Sequence, residues 1–119
     1  MKIAITAQGN SPDSIVDPRF GRAAWLLIHD DVSDSWESID NIAGRNTAHG
    51  AGIQAAQKVA NHQVEALVTG AIGPKAFTSL QAAKIRIFHG ARGTAQEALA
   101  AYKAGQLQEA SESDATGAV

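Results

Sequence analysis

The sequence predicts an α/β domain, a five-stranded mixed sheet in the order β-β-β-α-β-α-β-α with helices on its faces. Three observations predict it. Apolar runs near the start of the chain are separated by polar turns at hairpin spacing. From residue 50 onward, stretches with helical apolar spacing alternate with short strand-like runs. Two glycine turns, Gly70-Ala71-Ile72-Gly73 and Gly90-Ala91-Arg92-Gly93, each join an apolar run to a helix-like stretch. A hairpin stage followed by βα repeats gives a mixed sheet. Right-handed crossovers make strands one, four and five parallel.

Each element follows from its residues. Lys2 to Ala7 is a short apolar strand. Gln8 to Arg19 carries Gly9, Asn10, Pro12, Asp13 and Pro18, a loop signature. Ala23 to Asp30, the turn Asp31-Val32-Ser33-Asp34 and the alternating segment Ser35 to Asn41 form a hairpin whose second strand suits a sheet edge. Gly50 to Asn61 spaces Ile53, Ala56, Val59 and Ala60 as one helix face. Strand four is Glu65 to Thr69. Pro74 opens a helix reaching about Ala83, because its missing N–H is harmless in a first turn. Strand five is Lys84 to His89. Thr94 with Glu97 three residues on spells a capping box, and the last helix buries Ala95, Ala98, Leu99 and Tyr102 before stopping near Gly105.

Composition narrows the function. The chain has 119 residues, 45% apolar and 18% charged, with net charge −2 and no cysteine. It therefore reads as one domain, residues 1–107, followed by an acidic tail, 108–119, that is small, polar and expected to be disordered. With the tail acids Glu109, Glu112 and Asp114 set aside the body is near neutral, which argues against a nucleic-acid partner. No apolar run approaches the roughly 20 residues of a membrane span, and no signal-peptide pattern precedes the first strand. The expected setting is cytoplasmic. Cysteine thiolates cannot be ligands or nucleophiles here.

Ligands of parallel sheets bind beyond the carboxyl ends of the strands. Those ends carry Gly9-Asn10, Gly70 to Gly73 and Gly90 to Gly93, and His49-Gly50 precedes another helix. Glycine turns at helix starts aim backbone N–H groups at an anion. Three helix N-termini are expected to converge on one cleft. Arg19, Arg22, Lys75 and Arg92 lie on or beside these turns as candidate counter-charges, arginine as a bidentate fork and lysine as a point charge. Of the four histidines, none forms a spaced metal-binding pair. His49 is the candidate metal contact; His89, at the end of strand five, is a lesser candidate for a cluster or anion contact, and His29 and His62 suit structural or surface roles. Neither glycine turn has P-loop spacing, and strands one and four end without the carboxylates that a two-metal nuclease needs.

Four segments in order, Phe20-Gly21-Arg22-Ala23, His49-Gly50-Ala51-Gly52, Thr69 to Phe77, and Gly90-Ala91-Arg92-Gly93-Thr94 with Glu97-Ala98, resemble the dinitrogenase iron–molybdenum cofactor-binding family. The resemblance implies a ribonuclease H-like fold. It implies a non-enzymatic carrier of an iron–molybdenum or iron–sulfur cluster, or a precursor, with cofactor-biosynthesis proteins as partners. Strand ends, glycine turns and neighbouring charges together give the expected binding set: Gly9, Asn10, Arg19, Arg22, His49, Gly50, Gly70, Gly73, Gly90, Arg92 and Gly93, with His49 on the metal. Members often have histidine before Phe-Gly-Arg; this chain has Arg19 there and no cysteine, so the cargo is expected to be held loosely. A protein-interaction module using Trp36 and the acidic tail, and a binder of a small anionic metabolite, are the alternative readings.

Overall fold

The structure, a computed structural model, describes residues 1–41 and 50–114. Its elements are β1 (Lys2–Ala7), β2 (Trp25–Asp30), β3 (Ser35–Asp40), α1 (Ala51–Asn61), β4 (Ala66–Val68), α2 (Pro74–Ala82), β5 (Arg86–His89), α3 (Ala95–Lys103) and β6 (Gln108–Glu109). The sheet order is β3-β2-β1-β4-β5-β6. β1, β4 and β5 are parallel, as the crossovers require, while β2 and β6 run antiparallel to their neighbours.

The alternation of β1 divides the core. Ile3, Ile5 and Ala7 point to the face covered by α3, where they meet Leu27, Val68, Phe88, Ala95, Ala98 and Leu99. Ala4 points to the other face with Leu26, Ile28, Leu67 and Ile87, beneath α1 and α2. Both layers are apolar because the central strands are covered on both sides. β3 is a largely exposed edge strand, and its Trp36 ring lies 4.9 Å from that of buried His29. At that pole of the sheet Lys103 Nζ reaches Asp31 Oδ1 at 2.9 Å, fastening the hairpin turn to the end of α3.

Two expectations are corrected. The sheet has six strands rather than five: Glu109 pairs with Phe88 and Gln108 with His89. β6 lies at the start of the segment expected to be a tail, and residues 115–119 fall outside those described. Its two polar residues carry no apolar alternation; what holds them is backbone pairing and the Arg86–Glu109 ion pair at 2.9 Å. Ile53 does not join the buried face of α1. That face is Ala51, Ala55, Ala56 and Val59, and Ile53 is 37% exposed two residues around the helix from Ala51.

The capping box forms as expected. Thr94 Oγ1 accepts from Glu97 N at 3.1 Å, and Thr94 N donates to Glu97 Oε1 at 2.9 Å. Those bonds hold the Glu97 carboxyl below its ordinary range, with the Thr94 backbone N–H as the main cause. A depressed folded-state pKa means that the cap contributes fully above the ordinary carboxylate range and fades as pH falls through the lowered value. Replacing Thr94 with alanine is expected to cost about 1 kcal/mol at neutral pH. Urea denaturation at pH 7 and in acid checks this. The cost of Thr94→Ala is expected to persist in acid, because alanine keeps the backbone N–H that binds the Glu97 carboxylate, whereas the cost of Glu97→Ala is expected to shrink as the pH falls.

Candidate functional site

The carboxyl edge of the parallel strands is roofed by the segment after β1. Asp17 N donates to Thr6 O at 3.0 Å, and Phe20 N donates to Ala71 O at 3.2 Å. Thr6 Oγ1 donates to Asp17 O at 2.8 Å and lies 2.9 Å from Thr69 Oγ1, so two buried hydroxyls form a polar floor under the roof. The roof can descend this far because Gly70 lacks a side chain: a Cβ there would sit 2.7 Å from Pro18 O and 2.8 Å from Pro18 Cα.

The same loop fixes α1 against α2. Phe20 is buried in the α1/α2 core, and a Cβ on Gly21 would lie 2.8 Å from both the Cα and the N of Gly52. A Cβ on Gly52 would in turn meet Ala76 Cβ at 2.9 Å. Gly21, Gly52 and Ala76 therefore form a line of backbone-close contacts across the roof loop and the first turns of both helices. Much of the glycine signature is packing.

Its consequence is that α1 and α2 start side by side. α1 begins at Gly50, whose φ is +76, and α2 at Gly73 with Pro74 next. Among the described residues neither has a side-chain cap, and neither has an acid in its first turn. Their partial positive charges are thus unneutralised by those means. Arg19, exposed, pairs through its backbone with Ala71, two residues before the Gly73 cap. Exposed Lys75 lies in the first turn of α2. Arg22 is half-buried and already engaged within the protein.

The third helix start differs, which corrects the expectation of one cleft with three open N-termini. α3 packs on the opposite face of the sheet, and its first N–H groups are taken. Ala95 N donates to Ser14 O at 2.8 Å, Gln96 N to Pro12 O at 2.9 Å, and Glu97 N to the Thr94 hydroxyl. The preceding turn is also spent: Gly90 N donates to Gly70 O at 2.9 Å, Ala91 N to Thr69 O at 3.1 Å, and Gly93 O accepts from Val16 N at 2.8 Å. Gly9 belongs to the loop that makes this closure; a Cβ on it would meet Ser14 Oγ. Asn10 and Arg92 are exposed on these two loops.

The histidines are separated. His29 is buried at the far pole, with Nε2 2.9 Å from Asp34 Oδ1, and His62 Nδ1 lies 2.7 Å from Lys58 O at the end of α1. His49 lies outside the described residues. Among those described, no three His, Cys, Asp or Glu side chains converge as a metal ion requires, and no helix is long and apolar enough to cross a membrane. Sequence reasoning missed the Thr6–Thr69 floor and the Gly21–Gly52–Ala76 line. The clustering of small residues at 50–52 and 70–73 was the available signal for the second.

Comparison with known proteins bears on the family and the fold. The family model for dinitrogenase iron–molybdenum cofactor matches residues 1–105. An uncharacterised protein of Methanocaldococcus jannaschii is 30% identical over 112 residues, 91% of this chain and 90% of its own length. The apo form of the orange protein from Desulfovibrio gigas is 42% identical, with a TM-score of 0.89 over 92% of each chain. A Thermotoga protein described as a candidate NifB protein, solved by NMR, is 34% identical, with a TM-score of 0.81 over 91% of each chain.

Two alanine substitutions separate packing from turn geometry. Gly21→Ala is expected to cost about 2–3 kcal/mol, because its Cβ meets backbone atoms that cannot yield. Gly90→Ala is expected to cost about 1 kcal/mol, since φ is +78 but the space is open. Thermal and urea unfolding of the two variants checks the order.

Proposed function

Because the chain belongs to the dinitrogenase iron–molybdenum cofactor family, we propose that it is a non-catalytic carrier of an anionic metal–sulfur cluster, iron–molybdenum or iron–sulfur, or of a precursor. The observation that carries this reading is the contrast between helix starts. α3 is closed by a capping box and by loop carbonyls, while α1 and α2 begin side by side without side-chain caps or acids. A helix start with a positive end and spare N–H groups suits an anion. Arg19 and Lys75 add full charges at its rim.

The donor set fits a cargo held by its negative charge rather than by a cage of side-chain ligands. Main-chain N–H groups of residues 51–53 and 75–76 offer direct hydrogen bonds. Arg19 can span two acceptor atoms of an oxo, thio or carboxylate group. His49 completes the proposed set as a metal contact. Holding of this kind is weak and reversible, as a protein that hands its cargo to cofactor-biosynthesis partners requires. The orange protein is described in an apo form, which supports a loaded form for that relative. The ribonuclease H-like assignment belongs to the same proposal, supported by the β3-β2-β1-β4-β5 order with β2 reversed.

The test uses tetrathiomolybdate, a soluble molybdenum–sulfur dianion, mixed anaerobically with the protein and followed by visible absorbance and native-gel mobility. The wild-type chain is expected to shift both. Arg19→Ala and Lys75→Ala are each expected to weaken binding about three- to tenfold, as partly exposed charge contacts do, and Arg92→Ala much less. No shift with an intact fold removes the carrier reading.

A further inference from the structure

The chain does not leave the sheet at β6. β6 runs from the carboxyl end of β5 toward its amino end, and Ala110 N donates to Ile87 O at 2.8 Å. Ala110 then packs on the α1/α2 core and lines a 240 Å³ cleft with Phe77, Ile85 and Ile87. Residues 111–114 curl back as a short turn. Asp114 Oδ2 accepts from Ser111 N at 2.8 Å and from Ser111 Oγ at 3.0 Å. These bonds, the backbone one foremost, keep the Asp114 carboxyl below its ordinary range. The turn thus holds a fixed negative charge against the sheet.

That charge faces His89, the last residue of β5. Strand alternation turns His89 to the same face as Ile87, the face of α1 and α2, at the edge where both helices begin. Its neighbour Gly90 is bonded to Gly70, three residues before the α2 cap. His89 Nε2 is shielded from solvent and has no hydrogen-bond partner among the described residues. The Asp114 carboxylate is 3.9 Å away, too far for a hydrogen bond, and attracts the ring only through a proton carried on Nε2. A shielded ring nitrogen without a partner is uncommon in native proteins, and one beside an anion site calls for a ligand.

We infer that His89 is a further contact of the anionic cargo and that Asp114, carried on the β6 strap, competes with the cargo for it. This rests on the carrier reading above and adds regulation to the same site. Binding an oxo- or thio-anion gives Nε2 a short acceptor in place of a distant carboxylate. The strap is built to yield: its strand pairing spans two exposed residues, and its ion pair with Arg86 is solvent-facing. A partner protein that lifts the strap would favour loading, and its return would favour release.

The experiment measures tetrathiomolybdate affinity at physiological salt, where charges beyond roughly 8 Å are screened. The proteins are the full chain, D114N, E112Q, H89A, the double variant H89A/D114N, and a chain ending at Ala110, each checked for fold by amide NMR. D114N and the shortened chain are expected to bind about three- to fivefold more tightly, within the range of one partly exposed charge pair. E112Q, on the same turn, is expected to stay within about twofold. H89A is expected to bind more weakly, and D114N is expected to give no gain in its background. Equal binding by the full chain, D114N and the shortened chain overturns this inference alone. So does an equal gain from E112Q, or a D114N gain that survives H89A. Absence of binding by both the full and the shortened chain overturns the carrier reading and this inference with it.

Discussion

The structure depends on one close approach, the descent of the Pro18–Gly21 loop onto the ends of the parallel strands. It leaves no room for a Cβ on Gly70 or on Gly21. The hydroxyls of Thr6 and Thr69 accommodate the loop from below, so the polar backbone brought inside has partners. Phe20, wholly buried, locks it into the α1/α2 core. Move this loop outward by an ångström and Gly21 loses Gly52, Gly52 loses its alignment with Ala76, and the two helix starts separate. The small residues that make the core tight therefore also set the spacing of the two helix starts.

The helix starts on the two sides of this edge are finished differently, and physical chemistry distinguishes them. On the α3 side every N–H of the first turn that is described has an acceptor, supplied by Thr94, Ser14 and Pro12. Glu97 adds a negative charge near the positive end of the helix dipole. Such an end is stable and inert. On the α1/α2 side glycine stands at both cap positions and first-turn acids are absent. That arrangement gives up roughly a few tenths of a kcal/mol per cap, since glycine is itself a tolerated N-cap residue, and leaves the positive helix ends without a neutralising side chain of their own first turns. Asp114, arriving on the far strap, brings negative charge to the flank of this side from outside the helices.

Much of the fold was legible because its signals are local. The hairpin, the βα repeats, the Pro74 start and the Thr94–Glu97 box all depend on residues within a few positions of one another. β6 was not legible, because Gln108 and Glu109 have no apolar pattern and are held by a distant strand and by Arg86. The closure of α3 was invisible for the same reason: the acceptors of Ala95 and Gln96 lie some eighty residues earlier. The glycines were seen but their roles were not separable in sequence. Gly90 and Gly93 supply positive φ, Gly70 and Gly21 supply missing volume, and both read alike as a Gly turn. His89 was a lesser candidate through its place at the end of strand five, but the carboxylate facing it, twenty-five residues away, was not legible.

The central claim is that an anionic cargo sits on the starts of α1 and α2. Amide ¹H–¹⁵N NMR during an anaerobic titration with tetrathiomolybdate tests it most directly, since each N–H reports for itself. The account predicts saturable shifts concentrated at Gly52, Ile53, Lys75 and Ala76 and at Arg19 in the roof loop, with Ala95, Gln96 and Glu97 unmoved. Shifts centred on the first turn of α3, or weak shifts spread evenly over the basic surface, would contradict it.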